Sequence, residues 1–214
     1  IASTVTLIGD QAFGACANLT TLTFSVNSTL ATVGAYAFTG SGIVSMDIPD
    51  TTKTIMPYAF QGCSSLTSVS IPDATKTIMR YAFQSCASLK SVSITNQSQL
   101  SLIQTYAFQS CRALRAFAVP DMVTEIESYA FSSTPKLKMV TFGNGSALTA
   151  IGTYAFSSSG LTTITIPSNV LTIGSSAFQS CSSLKFVYFD YSNSKLTSIG
   201  SNAFYNDDSL LGFA

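Results

Sequence analysis

The dipeptide Ala-Phe occurs at nine nearly evenly spaced positions in this chain of 214 residues. Its phenylalanines are residues 13, 38, 60, 83, 108, 131, 156, 178 and 204, so the eight intervals average about 24 residues. The hexapeptide Tyr-Ala-Phe-Gln-Ser-Cys occurs twice unchanged, at 81–86 and 106–111. A fixed period in the twenties predicts a solenoid of about nine units, in which each unit buries its apolar side against its neighbours.

Every unit carries a similar apolar pattern around its Ala-Phe. In the third unit Ile55 precedes Tyr58-Ala59-Phe60, and Leu66 then leads into Val69-Ser70-Ile71. The alternation at 69–71 predicts a short strand with its aliphatic side chains inward, and stacking predicts one parallel sheet with strands about 4.8 Å apart. We expect the nine repeat Phe rings to form an internal ladder of offset rings. Since Ala precedes each of these nine Phe residues, we also expect a close backbone approach there, in a helical turn opposite the sheet. The predicted fold is therefore an α/β repeat solenoid.

The connectors from each strand to the next unit come in two lengths. Four short ones, 48–55, 71–78, 119–126 and 166–173, carry Pro directly after the strand, where the missing N–H ends the ladder. Four long ones, 24–33, 94–103, 142–151 and 189–199, contain no Pro. No linker or charge run interrupts the array, so residues 1–214 are predicted to form one domain. The sequence is expected to begin and stop inside a repeat, as a segment of a longer protein or an open-ended protomer.

This arrangement resembles the BspA-like leucine-rich repeats, whose unit carries an Ala-Phe, a Cys and a Leu-x-x-Ile-x-Ile-Pro strand. The resemblance covers essentially the whole chain, although Cys is missing from the units around Phe38, Phe131, Phe156 and Phe204. It implies a curved, right-handed solenoid that is commonly surface-exposed or secreted. It also implies a role in adhesion or protein binding and brings no catalytic residues.

Composition narrows the classes of function. Ten Lys and Arg residues balance ten Asp and Glu residues, and charged residues make up only 9% of the chain. The broad basic footprint of a nucleic-acid-binding protein is therefore missing. No apolar run reaches the roughly 18 residues of a membrane-spanning helix. Low charge with abundant Ser and Thr favours an extracellular or cell-surface protein.

Signals for catalysis are weak. The chain has no His, which excludes a Cys-His nucleophile and a Cys/His zinc site. The five cysteines all follow a Phe by three residues and are predicted to be buried free thiols: Cys16, Cys63, Cys86, Cys111 and Cys181. We therefore expect neither an enzyme nor a cofactor.

Candidate partner-binding residues lie where the repeat varies. Outward strand positions are Ser or Thr in the early units, whereas later units carry three basic residues in one column and three large side chains beside it. These six residues are Lys90, Arg115, Lys138, Met139, Phe186 and Tyr188. Basic residues beside exposed aromatics are typical of interface hot spots. The leading hypothesis is a non-enzymatic recognition or adhesion module that binds a protein ligand, or a host or matrix surface, through its strand face.

Two other functions stay open. Because apolar rows at both ends lack a capping unit, the chain is also predicted to associate end to end, as a structural protein in filaments or matrix does. Outward hydroxyl pairs such as Ser68/Ser70 and Thr163/Thr165 suggest glycan or ice binding, although Ala116/Ala118 and the large residues break that array.

Four sequons are candidate N-glycosylation sites, at Asn18, Asn27, Asn96 and Asn144. A recurring tyrosine two residues before Phe offers a possible sugar-stacking row, although its place beside Ala-Phe favours a role in the repeat architecture.

Overall fold

The computed structural model describes residues 1–95, 97–190 and 193–213. The chain winds into nine coils, which confirms the predicted number of units. We number them one to nine in chain order, from the coil of Phe13 to the coil of Phe204. The strands, in chain order, are β1 (Leu7–Ile8), β2 (Thr32–Val33), β3 (Ser45–Asp47), β4 (Thr54–Ile55), β5 (Ser68–Ser70), β6 (Thr77–Ile78), β7 (Ser91–Ser93), β8 (Leu102–Ile103), β9 (Ala116–Val119), β10 (Glu125–Ile126), β11 (Met139–Phe142), β12 (Ala150–Ile151), β13 (Thr163–Ile166), β14 (Thr172–Ile173), β15 (Phe186–Phe189), β16 (Ser198–Ile199) and β17 (Gly212–Phe213).

The continuous sheet is built from strands of two residues that sequence analysis did not predict. It is parallel and has nine strands in the order β1-β2-β4-β6-β8-β10-β12-β14-β16. Ile55 pairs with Ile78, and Ile126 pairs with Ile151, so the aliphatic residue of each coil points into the same core column. The strands predicted from the alternating pattern are also parallel, but they form three shorter ladders, β3-β5-β7, β9-β11 and β13-β15-β17.

The segment around each Ala-Phe is a series of turns, so the prediction of an α/β fold with helical turns is wrong. The N–H groups of Tyr58, Phe60 and Gly62 all donate to carbonyl groups of the next coil. Tyr58 and Gly62 have φ angles of 63° and 68°, in the left-handed region. A right-handed helix needs negative φ throughout and uses its N–H groups internally. The described residues accordingly contain no helix, and the fold is a β-solenoid.

The predicted ladder of phenylalanine rings is confirmed. Neighbouring rings from Phe13 to Phe204 stack with centroids 5.1–5.4 Å apart and planes within 11° of parallel. The rings of Phe38 to Phe178 are fully buried, and so is the Ala before each of them. The core therefore runs the length of the solenoid between the two rows of strands.

Four of the five cysteines are buried free thiols, as predicted, whereas Cys16 is exposed. The Sγ of each buried cysteine donates to the carbonyl of the repeat Phe one coil earlier, for example Cys86 to Phe60 at 3.1 Å. Within the described residues, the Cys16 thiol has no such acceptor. Burial raises the pKa of the Cys181 thiol to about 12, so the buried thiols are kept as neutral donors.

Candidate protein-binding face

We call the strand that follows the Ala-Phe turns of a coil its second strand; these are β3, β5, β7, β9, β11, β13, β15 and β17. Backbone hydrogen bonds between coils bring the predicted basic residues into one column just before the second strands. Arg115 N–H donates to the carbonyl of Lys90 at 3.3 Å, and Lys138 N–H donates to that of Arg115 at 2.9 Å. The column continues through Thr162 to Lys185, and all four basic side chains are exposed. We call Lys90, Arg115, Lys138 and Lys185 the basic column. Sequence analysis missed Lys185, although it follows Leu184 as Lys138 follows Leu137.

The large side chains lie on the outward face next to this column. Met139 leads β11 with 54% of its surface exposed, and Phe186 is half-buried two coils further on. Thr163, in the intervening coil, pairs with Phe186, while Tyr188 pairs with Thr165. The ring centroids of Phe186 and Tyr188 are 6.0 Å apart, and Tyr188 is 39% exposed. We call these three residues together with the basic column the strand-face patch.

Basic side chains gather before the second strands, and three aspartates lie at or beyond the opposite strand ends. Arg112 and Lys136 are exposed just before the strands and add to the positive end. Asp47 ends β3, and Asp73 and Asp121 each follow a strand and its Pro, at the opposite end. The patch therefore presents positive charge along one edge of the face, away from these three carboxylates.

The other outward positions form small, in-register rows. Ser45, Ser68 and Ser91 pair in succession, but the equivalent positions in coils five and six are Ala116 and Met139. The hydroxyl rows predicted for glycan or ice binding are thus aligned but short.

The recurring tyrosines two residues before Phe form a continuous stack, which we call the tyrosine column. Its six rings, from Tyr36 to Tyr154, lie 4.5–4.8 Å apart with planes within 13° of parallel. Desolvation raises the pKa of Tyr81, and the neighbouring Tyr58 and Tyr106 raise it further. A sugar stacks on the open face of a ring, and here neighbouring rings cover one another's faces. The column is therefore part of the repeat architecture.

Three of the predicted sequons present exposed asparagines, at Asn18, Asn27 and Asn144. Asn96 lies outside the described residues. Glycosylation of these sites stays a prediction.

Within the described residues, no group of three or more His, Cys, Asp or Glu side chains is arranged to hold a metal ion. The same part of the chain has no helix long and apolar enough to cross a membrane.

Stacked coils of about 24 residues, in which a Leu comes shortly before the second strand of nearly every coil, define a leucine-rich-repeat solenoid. The chain belongs to the BspA-type leucine-rich repeat family, whose model matches residues 1–115 and 101–213 in six copies. No curated protein matches the sequence significantly.

Three solved structures illustrate the likeness. A leucine-rich repeat protein from Eubacterium ventriosum is 20% identical with a TM-score of 0.55, over 96% of this chain and 75% of that one. The pneumococcal vaccine antigen PcpA is 21% identical with a TM-score of 0.53, over 89% of this chain and 56% of that one. A leucine-rich repeat protein from Bacteroides ovatus is 24% identical with a TM-score of 0.45, over 85% and 57%. The chain thus spans little more than half of the last two, and the likeness concerns the fold.

Proposed function

We propose that this protein is a non-enzymatic recognition module of a cell surface or secreted protein, and that it binds another protein through the strand-face patch. The observation that carries the proposal is the basic column, in which three cationic side chains occupy consecutive coils beside large exposed side chains. Membership of the BspA-type family and the low charge of the rest of the chain support the surface location.

The basic column does not serve the stability of the solenoid. Neighbouring residues of a column are one strand spacing, about 4.8 Å, apart, and like charges directly opposite one another on a sheet are destabilising. The same column carries Thr67 and Thr162 in other coils, so a small neutral residue fits there. A bound surface of opposite charge would turn this repulsion into attraction.

The large side chains are likewise unnecessary for packing. Thr163 and Thr165 occupy the positions of Phe186 and Tyr188 one coil earlier, and both are exposed. Met139 also projects into water from a position where coils two to five have Ser or Ala. Burial of exposed aromatic or Met surface against a partner removes apolar area from water and favours association, although the entropy lost on association offsets part of this gain. We infer a partner with an apolar anchor site rimmed by carboxylates.

The test uses residues that the repeat already accepts. One variant carries Phe186→Thr and Tyr188→Thr, which copies coil seven, and a second carries Arg115→Thr and Lys138→Thr, which copies Thr162. Ser68→Thr with Ser70→Thr on the same face serves as the matched control. Binding of the whole protein to intact host cells and to immobilised matrix proteins is measured by flow cytometry and biolayer interferometry, with circular dichroism to verify the fold.

We expect the aromatic variant to lose at least about 2 kcal/mol of binding free energy, or roughly thirtyfold in affinity, as hot-spot residues do. The basic-column variant should bind more slowly, and its binding should depend less on salt, because surface charges steer association and are screened. Unchanged binding by both folded variants would exclude the strand face.

A further inference from the structure

The tyrosine column ends at Tyr36, and one face of this ring is open. Tyr58 stacks on the other face, with the ring centroids 4.5 Å apart and the planes 6° from parallel. One coil earlier the same position is taken by Gln11, whose backbone is also left-handed, with a φ of 56° at both residues. Gln11 carries no ring, so the stack stops, and Tyr36 is 37% exposed. At the far end of the column, Tyr154 is followed by the buried Ser176.

A pocket of about 270 Å³ lies beside Tyr36, between coils one and two. Gln11, Gly14 and Ala15 of coil one line it together with Tyr36 and Thr39 of coil two. We call it the Tyr36 pocket. Coil one departs from the repeat here, because coils two to seven have Tyr at the position of Gln11, and all eight later coils have a side chain at the position of Gly14. The missing ring and the missing side chain open the space beside Tyr36.

Size and charge narrow the class of ligand that this pocket accepts. Sites for drug-sized ligands enclose roughly 300–1,000 Å³, so about 270 Å³ suits a single ring with its substituents. Among the described lining residues none is charged. A nucleotide or another anion would therefore meet no cation in the lining, and a cation would meet no carboxylate. The pocket favours a neutral ligand with one ring.

The lining combines one aromatic face with polar groups beside it. The face of a phenol ring is electron-rich and attracts the C–H groups of a saturated ring that lies flat on it. The hydroxyl of Thr39 donates to the carbonyl of Tyr58 at 2.9 Å, so its oxygen is left to accept a hydrogen bond from a ligand. Gln11 is exposed, and its amide both donates and accepts. An apolar ring would cover these groups without a partner, at a cost in binding free energy, whereas a hydroxylated ring pairs with them.

We propose that the Tyr36 pocket binds one neutral hexose residue of a glycan, with a C–H face of the sugar ring on the open face of Tyr36. The sugar takes the place that a tyrosine of coil one would have in the column. Its hydroxyls donate to the Thr39 oxygen and exchange hydrogen bonds with the Gln11 amide. The pocket belongs to coils one and two, whereas the strand-face patch belongs to coils four to eight, so this site is independent of the function proposed above.

The ligands for the test are small molecules of similar size. Methyl glycosides of glucose, galactose, mannose and N-acetylglucosamine, in both anomeric forms, are the candidates. The side-chain analogue of tyrosine, p-cresol, represents an aromatic group of a partner protein. The whole protein is titrated by saturation-transfer NMR, in which the ring protons that touch the protein receive the most saturation. Circular dichroism verifies the fold of every variant.

The repeat itself supplies the variants. Gln11→Tyr copies coil two and extends the stack over Tyr36, and Gly14→Gln copies coil three and fills the pocket. A Cβ at residue 14 has as its nearest atoms the carbonyl oxygens of Gln11 and Tyr36, at 3.3 and 3.6 Å, so the side chain needs only a small shift. Asn202→Tyr is the matched control, because residue 202 has the same place in coil nine and a φ of 59°. Gln11→Ala removes the amide and keeps the pocket open.

We expect at least one hexoside to bind with a millimolar dissociation constant, raised at least about tenfold by Gln11→Tyr and by Gly14→Gln. The C–H protons of one sugar face should receive the most saturation. Gln11→Ala should weaken hexoside binding about threefold to tenfold through the lost hydrogen bonds and leave p-cresol binding unchanged. The control and the strand-face variant with Phe186→Thr and Tyr188→Thr should stay within about twofold of the parent protein, because both changes lie far from the pocket.

Three results would overturn the proposal. The first is that no hexoside binds. The second is that p-cresol binds more tightly than every hexoside, which would assign the pocket to an aromatic side chain of a partner. The third is that Gln11→Tyr or Gly14→Gln folds correctly and binds hexosides like the parent protein.

Discussion

We expect the docking of the ninth coil to depend on pH because of Asp207. It occupies the place of the buried cysteines, three residues after Phe204, and only 8% of its surface is exposed. Its Oδ1 accepts the N–H of Cys181 at 2.7 Å, while its Oδ2 is buried and has no hydrogen-bond partner in the described part of the structure. Burial raises the pKa of this carboxyl from 3.8 to about 6, despite the opposing effect of the Cys181 N–H, and the charge of Asp208 raises it further.

The raised pKa determines whether the docked coil becomes more or less stable as the pH changes. A carboxyl that holds its proton more tightly in the folded state stabilises the fold fully below pH 3.8, and this contribution is lost as the pH rises past about 6. At pH 5 about nine in ten folded molecules carry the proton but fewer than one in ten unfolded molecules do. Lowering the pH from 7 to 5 should therefore stabilise the docked coil by at most about 1.4 kcal/mol, a factor of ten.

Hydrogen exchange measures the docking of coil nine directly. Phe178 and Ser180 donate their N–H groups to Ala203 and Tyr205 of coil nine, so their protection factors report its docking. We expect these factors to rise up to about tenfold from pH 7 to pH 5, after correction for the intrinsic exchange rate. Asp207→Asn should abolish the change, and the exposed Asp208→Asn should keep most of it. Equal protection at both pH values in the parent protein would refute the reasoning.

Three further predictions concern the array. Phe108→Ala should lower the free energy of unfolding by about 3–5 kcal/mol in urea titrations, because the ring is buried between Phe83 and Phe131 at 5.3 Å from each; an unchanged midpoint would contradict the ladder. Thiol titration without reductant should find one reactive thiol, Cys16, in the folded protein and five in denaturant; fewer than five would reveal a disulfide. Ser110→Gly should raise stability by about 0.5–1 kcal/mol and Ser110→Val should lower it by more than about 1 kcal/mol, because residue 110 has a φ of 60°; equal melting temperatures would contradict this.

The candidate site was only partly predictable. Lys90, Arg115 and Lys138 follow a Leu at the same offset in consecutive units, so their shared column could be read from the sequence, and Lys185 follows the same rule across the Thr162 gap. Connector lengths were visible, but whether a longer connector projects beside a shorter one depends on the positions of both coils.

The sequence by itself determined the number of coils, the inward ladder of Phe rings and the buried place of most cysteines, because these follow from which side chains recur at each offset. Only the tertiary structure decided the backbone path. Nothing local marks Tyr58 or Ser110 for a positive φ, and the Tyr and Ser side chains carry no preference for it. That conformation arises because Tyr58, Phe60 and Gly62 turn their N–H groups toward the carbonyls of the next coil. These partners exist only once a second coil has stacked on the first, which is why the turns are part of a β-solenoid and do not form helices.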